Sequence, residues 1–183
     1  MWNFLLKSRK TGLQNKEFLD LFAVHYKTGE KIPQQYIDNI IKAQNFNEGY
    51  LMVRQLSLGT LDLAWHSITD SVKISVADFE TNAIKDLVLI PPVSGTAIST
   101  SFSHIFAGGY AVGYYGYKWA EVLDADAFDD FKSKGIFSTE VAEKFRKEVL
   151  SKGGTIHPMQ LYINFKGTKP DIQPLLERCG FTK

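Results

Sequence analysis

The stretch that could do chemistry is SFSHIFAGGYAVGYYGYKWA, residues 101–120, in which seven of twenty positions are aromatic and four are glycine. If the chain is helical from about Gly109 onward, Tyr110, Tyr114 and Tyr117 fall at i, i+4 and i+7 and share one face, beside a bare strip of Gly109, Gly113 and Gly116. Such a strip admits another backbone, either a packed helix or a bound peptide. The phenols would recur at a one-turn rise of about 5 Å, and each can donate a hydrogen bond to a peptide carbonyl. A phenol there could also donate to the oxyanion that forms when a carbonyl is attacked. The same spacing equally suits amphipathic core tyrosines whose hydroxyls reach solvent.

His104 stands close before this block, where a lone histidine can be a structural hydrogen bonder as readily as a substrate contact. His25, His66 and His157 are far apart in sequence, and none belongs to a His-Glu-x-x-His pattern that would set two imidazoles on one helix face for zinc. No metal ligand set is therefore expected in this chain. A Gly-x-Ser-x-Gly elbow and a phosphate-cradling glycine loop are both missing, and Cys179, the one cysteine, reads as a packing residue.

The elements that must position these residues read as helices. Phe18, Leu19, Phe22 and Tyr26 form a helical stripe over 16–26, and Pro33 opens a second helix through Tyr36, Ile37, Ile40 and Ile41. A long buried helix is expected from about Asn45 to Ile68, interrupted by Gly49 and Gly59. Ser75 with Asp78 marks a start for a helix reaching Leu89, which Pro91-Pro92 must stop, and residues 91–100 read as a loop. Ser138 caps a helix through Val141, Phe145 and Val149 that closes at Gly153-Gly154. Short helices follow His157-Pro158 and Asp171. With no period-two strand, internal repeat or interdomain linker, the fold class is all-α in one domain.

Composition narrows the functional classes. The 183 residues suffice for a core, and 44% hydrophobic with 22% charged residues is ordinary for a globular protein. Lysine plus arginine (21) nearly balance aspartate plus glutamate (20), and no basic cluster offers a footprint for nucleic acid. No uncharged apolar run approaches the ~18 residues of a membrane span. The first residues, MWNFLLK, lack the core and cleavage site of a signal peptide. A single cysteine suits a reducing, cytoplasmic setting.

The run HIFAGGYAVGYYGYKWAEVL, residues 104–123, resembles the C-terminal block of the thimet oligopeptidase family of zinc metallopeptidases, and is most similar to its bacterial peptidyl-dipeptidase branch. HYKTGE (25–30), NFNEGY (45–50), LDLAWH (61–66), DADAF (124–128), LSKGG (150–154) and LERCGF (176–181) resemble further landmarks in the family's order. The resemblance covers residues 16–183, whereas residues 1–15 do not match. It implies a compact multi-helix C-terminal part of a zinc oligopeptidase catalytic domain, acting on short peptides. It implies that Tyr117 stabilises the oxyanion and that Tyr110 and His104 contact substrate; Tyr114, in the same row by spacing, is expected to bind substrate with them. The zinc of the intact family enzyme is held by a helix and a glutamate that this sequence lacks, so the chain alone is expected to be inactive. On this reading it is an expressed fragment, a truncated gene product or one part of a split enzyme. Its expected partners are short peptides, an upstream zinc-bearing part, or a second copy of itself. The alternative is a non-catalytic helical module that binds peptides or complements an enzyme.

Overall fold

The computed structural model describes residues 15–181; of the non-matching segment 1–15, only Asn15 lies within it. In chain order the helices are α1 (Lys16–Leu19), α2 (Gln34–Asn45), α3 (Glu48–His66), α4 (Val76–Ile84), α5 (Ser103–Phe106), α6 (Gly116–Lys134), α7 (Thr139–Phe145), α8 (Pro158–Lys166) and α9 (Gln173–Arg178). Short 3-10 turns cover Lys85–Leu87 and Ile98–Ser101, and a π turn, Arg146–Leu150, continues α7. Among the described residues the one β feature is an isolated antiparallel bridge between Val24 and Lys31, so the chain is all-α. No helix of the described residues is long and apolar enough to cross a membrane.

The described residues divide into two compact units, residues 47–119 and residues 15–46 with 120–181. In the first, Leu58 and Leu61 of α3, Ile84 of α4, Phe102 and Ile105 form the core, with Trp65, Val88 and Tyr114 packed on it. Leu61 is fully buried, and residues 58, 61 and 65 are spaced as one helical stripe. Ser75 caps α4 as its sequence suggests, its side chain accepting from the Asp78 N–H. Glu80 of α4, also buried, accepts from the Ile98 and Ser99 N–H groups and the Ser99 hydroxyl, which ties down the loop before α5. The Trp65 indole N–H donates to the same Ser99 oxygen at 2.8 Å.

In the second unit, Ala120, Ala127, Val141, Val149, Tyr162 and Phe165 make the core. Ser138 caps α7, accepting from the Val141 N–H, and the His157 ring accepts from the Met159 N–H at the start of α8. Asp126 of α6 receives the Tyr162 hydroxyl at 2.6 Å, and Lys166 bonds Asp126 and Asp130. Burial and the Asp126 hydrogen bond push the Tyr162 phenol well above the ordinary tyrosine range.

Three expected helices differ. The 16–26 stripe is helical only over α1, because Phe22 and Tyr26 are exposed and just Leu19 is buried; without packing on that face the chain turns. The Thr28 N–H bonds the His25 ring in the turn that replaces the helix. The expected 45–68 helix begins at Glu48, after Asn47 breaks from α2 with φ 59°. Helix α4 ends at Ile84 and tightens into a 3-10 turn before reaching Leu89.

Candidate functional site

The tyrosine block is not the helix its spacing suggests. Helix α6 starts at Gly116, so Tyr110 and Tyr114 lie on a turn and only Tyr117 is helical. The glycines show why. Helix α5 ends with the Ala107 and Gly108 N–H groups on the Ser103 carbonyl and the Tyr110 N–H on the His104 carbonyl. Gly109 adopts φ 77°, a left-handed helix stop. A Cβ on Gly108 would stand 2.9 Å from the His104 Cα and carbonyl oxygen, so only glycine fits there. The expected bare strip therefore does not exist as a helix face: Gly109 stops α5, Gly113 lies on the turn and Gly116 opens α6.

Even so, the turn gathers the rings that the spacing grouped. Tyr110 and Tyr117 stack with centroids 5.3 Å apart and planes 17° from parallel, and Tyr114 tilts against Tyr117 at 5.1 Å. Tyr114 also meets Phe102 edge to face at 5.1 Å, which ties the cluster to the core. The His104 ring lies 6.2 Å from Tyr110 and 6.3 Å from Tyr114. All three tyrosines are half-buried and His104 is exposed.

The hydrogen bond to Tyr110, with burial and the neighbouring phenols adding to it, pushes the Tyr117 phenol up to about 12. At neutral pH Tyr117 is thus a neutral donor. The chemistry on offer is hydrogen-bond donation to a carbonyl or a developing anion from a preset aromatic wall.

Sequence reasoning missed the residue behind this turn. Asp62 of α3 is 1% exposed; its Oδ1 accepts from the Val112 N–H at 3.0 Å and its Oδ2 from the Tyr114 N–H at 2.9 Å. The His66 Nδ1, one helical turn on, lies 2.9 Å from Asp62 Oδ1 and 2.8 Å from the Asp62 carbonyl. Both partners are acceptors, so Nδ1 carries the proton. The available signal was a carboxylate inside the apolar stripe 58, 61, 65, where a charge needs dedicated partners.

A cavity of about 880 Å³ opens elsewhere in the same unit, between Tyr50, Val53 and Arg54 of α3 and the segment Lys85–Pro92. None of the three clustered tyrosines lines it. Among the described residues no three histidine, cysteine, aspartate or glutamate side chains group so as to hold a metal ion. These residues do not fit a zinc site.

Comparison with known proteins identifies the family of the chain. Residues 13–181 match the description of Peptidase family M3. The chain belongs to that family. It is 41% identical over 169 residues to oligopeptidase A of Escherichia coli and 39% over 166 residues to oligopeptidase A of Haemophilus influenzae. It is also 36% identical over 164 residues to the dipeptidyl carboxypeptidase of Escherichia coli. These alignments cover 90%, 90% and 87% of this chain but 24% of each relative, so the M3 chain described here spans about a quarter of their length.

Proposed function

We propose that this M3 chain is the substrate-side, C-terminal region of a zinc-dependent oligopeptidase or peptidyl-dipeptidase. The observation that carries the reading is the convergence of Tyr110, Tyr114, Tyr117 and His104 in a chain of this family. Tyr117 is the oxyanion donor: its phenol stays protonated at neutral pH, and its O–H turns from Tyr110 to the developing anion. Tyr110, Tyr114 and His104 contact the peptide on either side of that donor. Aromatic faces supply apolar area and the hydroxyls supply direction, which suits short extended peptides with unsatisfied carbonyls.

Oligopeptidase A names among its relatives motivate the peptide substrate class. The sequence has no His-Glu-x-x-His motif, and the described residues do not fit zinc, so we derive no step through a metal and assign hydrolysis to this chain only in combination with a metal-bearing part.

Two measurements test the reading. The pure chain with zinc and a quenched short peptide is expected to show no cleavage; chelator-sensitive cleavage would overturn the claim that it is inactive alone. Residues 13–181 exchanged for the matching region of Escherichia coli oligopeptidase A are expected to support cleavage. In that chimera Tyr117→Phe is expected to lower kcat by about 10²–10³-fold, the effect of removing one oxyanion donor. Unchanged turnover in the variant would remove Tyr117 from the proposed role.

A further inference from the structure

The 110–115 turn has local bonds, from the Gly113 N–H to the Tyr110 carbonyl at 2.8 Å and from the Gly116 N–H to the Gly113 carbonyl at 3.0 Å, and it is also held from outside. Val112 adopts φ 56°, a left-handed conformation that a β-branched residue resists. Its own side chain is exposed, so burial of that side chain does not offset the strain. What opposes the strain comes from fifty residues earlier: the buried Asp62 carboxylate takes the Val112 and Tyr114 N–H groups on its two oxygens. His66 fixes which way those oxygens face, because its Nδ1–H reaches both Asp62 Oδ1 and the Asp62 carbonyl.

We propose that Asp62, oriented by His66, is a positioning residue for the tyrosine cluster. Its carboxylate fixes the strained turn so that Tyr114 meets Phe102 and Tyr117, and Tyr110 reaches back to stack on Tyr117. A purely structural carboxylate would contribute to stability and nothing more. Glu80 is the internal comparison, since it too is a buried carboxylate of the same unit that accepts two backbone N–H groups, yet it holds Ile98 and Ser99 rather than the tyrosine turn. An acceptor with two full anionic oxygens matters at Asp62, because an asparagine there keeps one carbonyl oxygen and presents N–H groups to one of the two donors. The proposal rests on the peptidase reading for its consequence, which is that Asp62 sets the geometry of the oxyanion donor without touching substrate.

The test uses the full chain labelled with ¹⁵N and with ¹³Cζ-tyrosine, without peptide or metal, the Tyr117 signal being assigned with Tyr117→Phe. In Asp62→Asn the Val112 and Tyr114 amides are expected to exchange about tenfold faster or more, relative to the slowest amides of the same variant, as expected for loss of a bond to a buried charge. The Tyr110, Tyr114 and Tyr117 signals are expected to move with them. Glu80→Gln is expected to speed exchange at Ile98 and Ser99 while leaving the three tyrosine signals in place. A folded Asp62→Asn with unchanged tyrosine signals overturns the proposal, and so does a Glu80→Gln that moves them equally. If Asp62→Asn does not fold, His66→Ala decides: the same tyrosine signals must move in the same direction by less, and their constancy overturns the proposal. Because no turnover is read, failure here leaves the peptidase reading standing, and failure of the chimera leaves this one standing.

Discussion

The Tyr110 and Tyr117 rings stack 5.3 Å apart although one lies on a turn and the other in the first helical turn beyond it. Hydrogen bonding to the Tyr110 hydroxyl is the largest cause of the raised Tyr117 phenol. Tyr110→Phe removes the bond and one polar neighbour while keeping the ring. The Tyr117 phenol is expected to fall from about 12 toward the ordinary tyrosine value near 10. Titration of ¹³Cζ-tyrosine signals checks this, and a Tyr117 that still titrates near its original position shows that burial dominates.

The same shift fixes a direction for alkaline stability. Between pH ~10 and about 12 the unfolded chain has lost the Tyr117 proton while the folded chain retains it. The unfolded state then binds fewer protons, so the stability contributed by this group is complete below pH ~10 and falls as pH rises through about 12. Tyr117→Phe is expected to flatten that part of the curve. Urea unfolding of both proteins between pH 9 and 11, values bracketing the ordinary phenol range, measures the difference; parallel curves would count against the shift.

Two glycines invite opposite outcomes. A Cβ on Gly108 meets the His104 backbone at 2.9 Å, so Gly108→Ala is expected to cost about 1–3 kcal/mol and displace His104. A Cβ on Gly59, inside α3, meets the Tyr115 backbone at 3.7 Å, an ordinary contact. Gly59→Ala is therefore expected to stabilise by about 0.5–1 kcal/mol through helix propensity and a less flexible unfolded chain. Denaturant midpoints decide both, and a destabilised Gly59→Ala would show that the Tyr115 approach is tighter than its distance suggests.

What the sequence made legible follows from which signals are local. Ser75, Ser138 and Pro158 announced helix starts correctly because a cap or a first-turn proline acts within one turn. The grouping of Tyr110, Tyr114 and Tyr117 was also legible, but its cause was not. A tight turn can bring i, i+4 and i+7 together as a helix does, and Gly108 and Gly109 favour the turn. The Asp62 bonds to Val112 and Tyr114 span fifty residues and left no pattern except one misplaced charge in an apolar stripe. Exposure defeated the 16–26 helix for the complementary reason: periodicity reports that a face could be buried, and Phe22 and Tyr26 stay largely exposed.

The unit of residues 15–46 and 120–181 carries its own charge test. Lys166 donates to Asp130 at 2.7 Å and to the Asp126 carbonyl at 2.7 Å, with Asp126 Oδ1 at 3.2 Å, and its side chain is 13% exposed. Burial alone would lower the Lys166 pKa, yet bonds and charges from Asp130 and Asp126 outweigh it and raise the value. Asp126 meanwhile also receives the Tyr162 hydroxyl and the Asp171 N–H, so the carboxylate joins α6, α8 and the start of α9. Lys166→Met leaves Asp126 and Asp130 facing each other without their cation and is expected to cost about 3–5 kcal/mol. Tyr162→Phe leaves Lys166 in place and removes one bond, so about 1–2 kcal/mol is expected. The order of the two losses is the informative result: if Tyr162→Phe costs more in urea unfolding than Lys166→Met, the hydroxyl rather than the ammonium is the stronger tie on the Asp126 carboxylate.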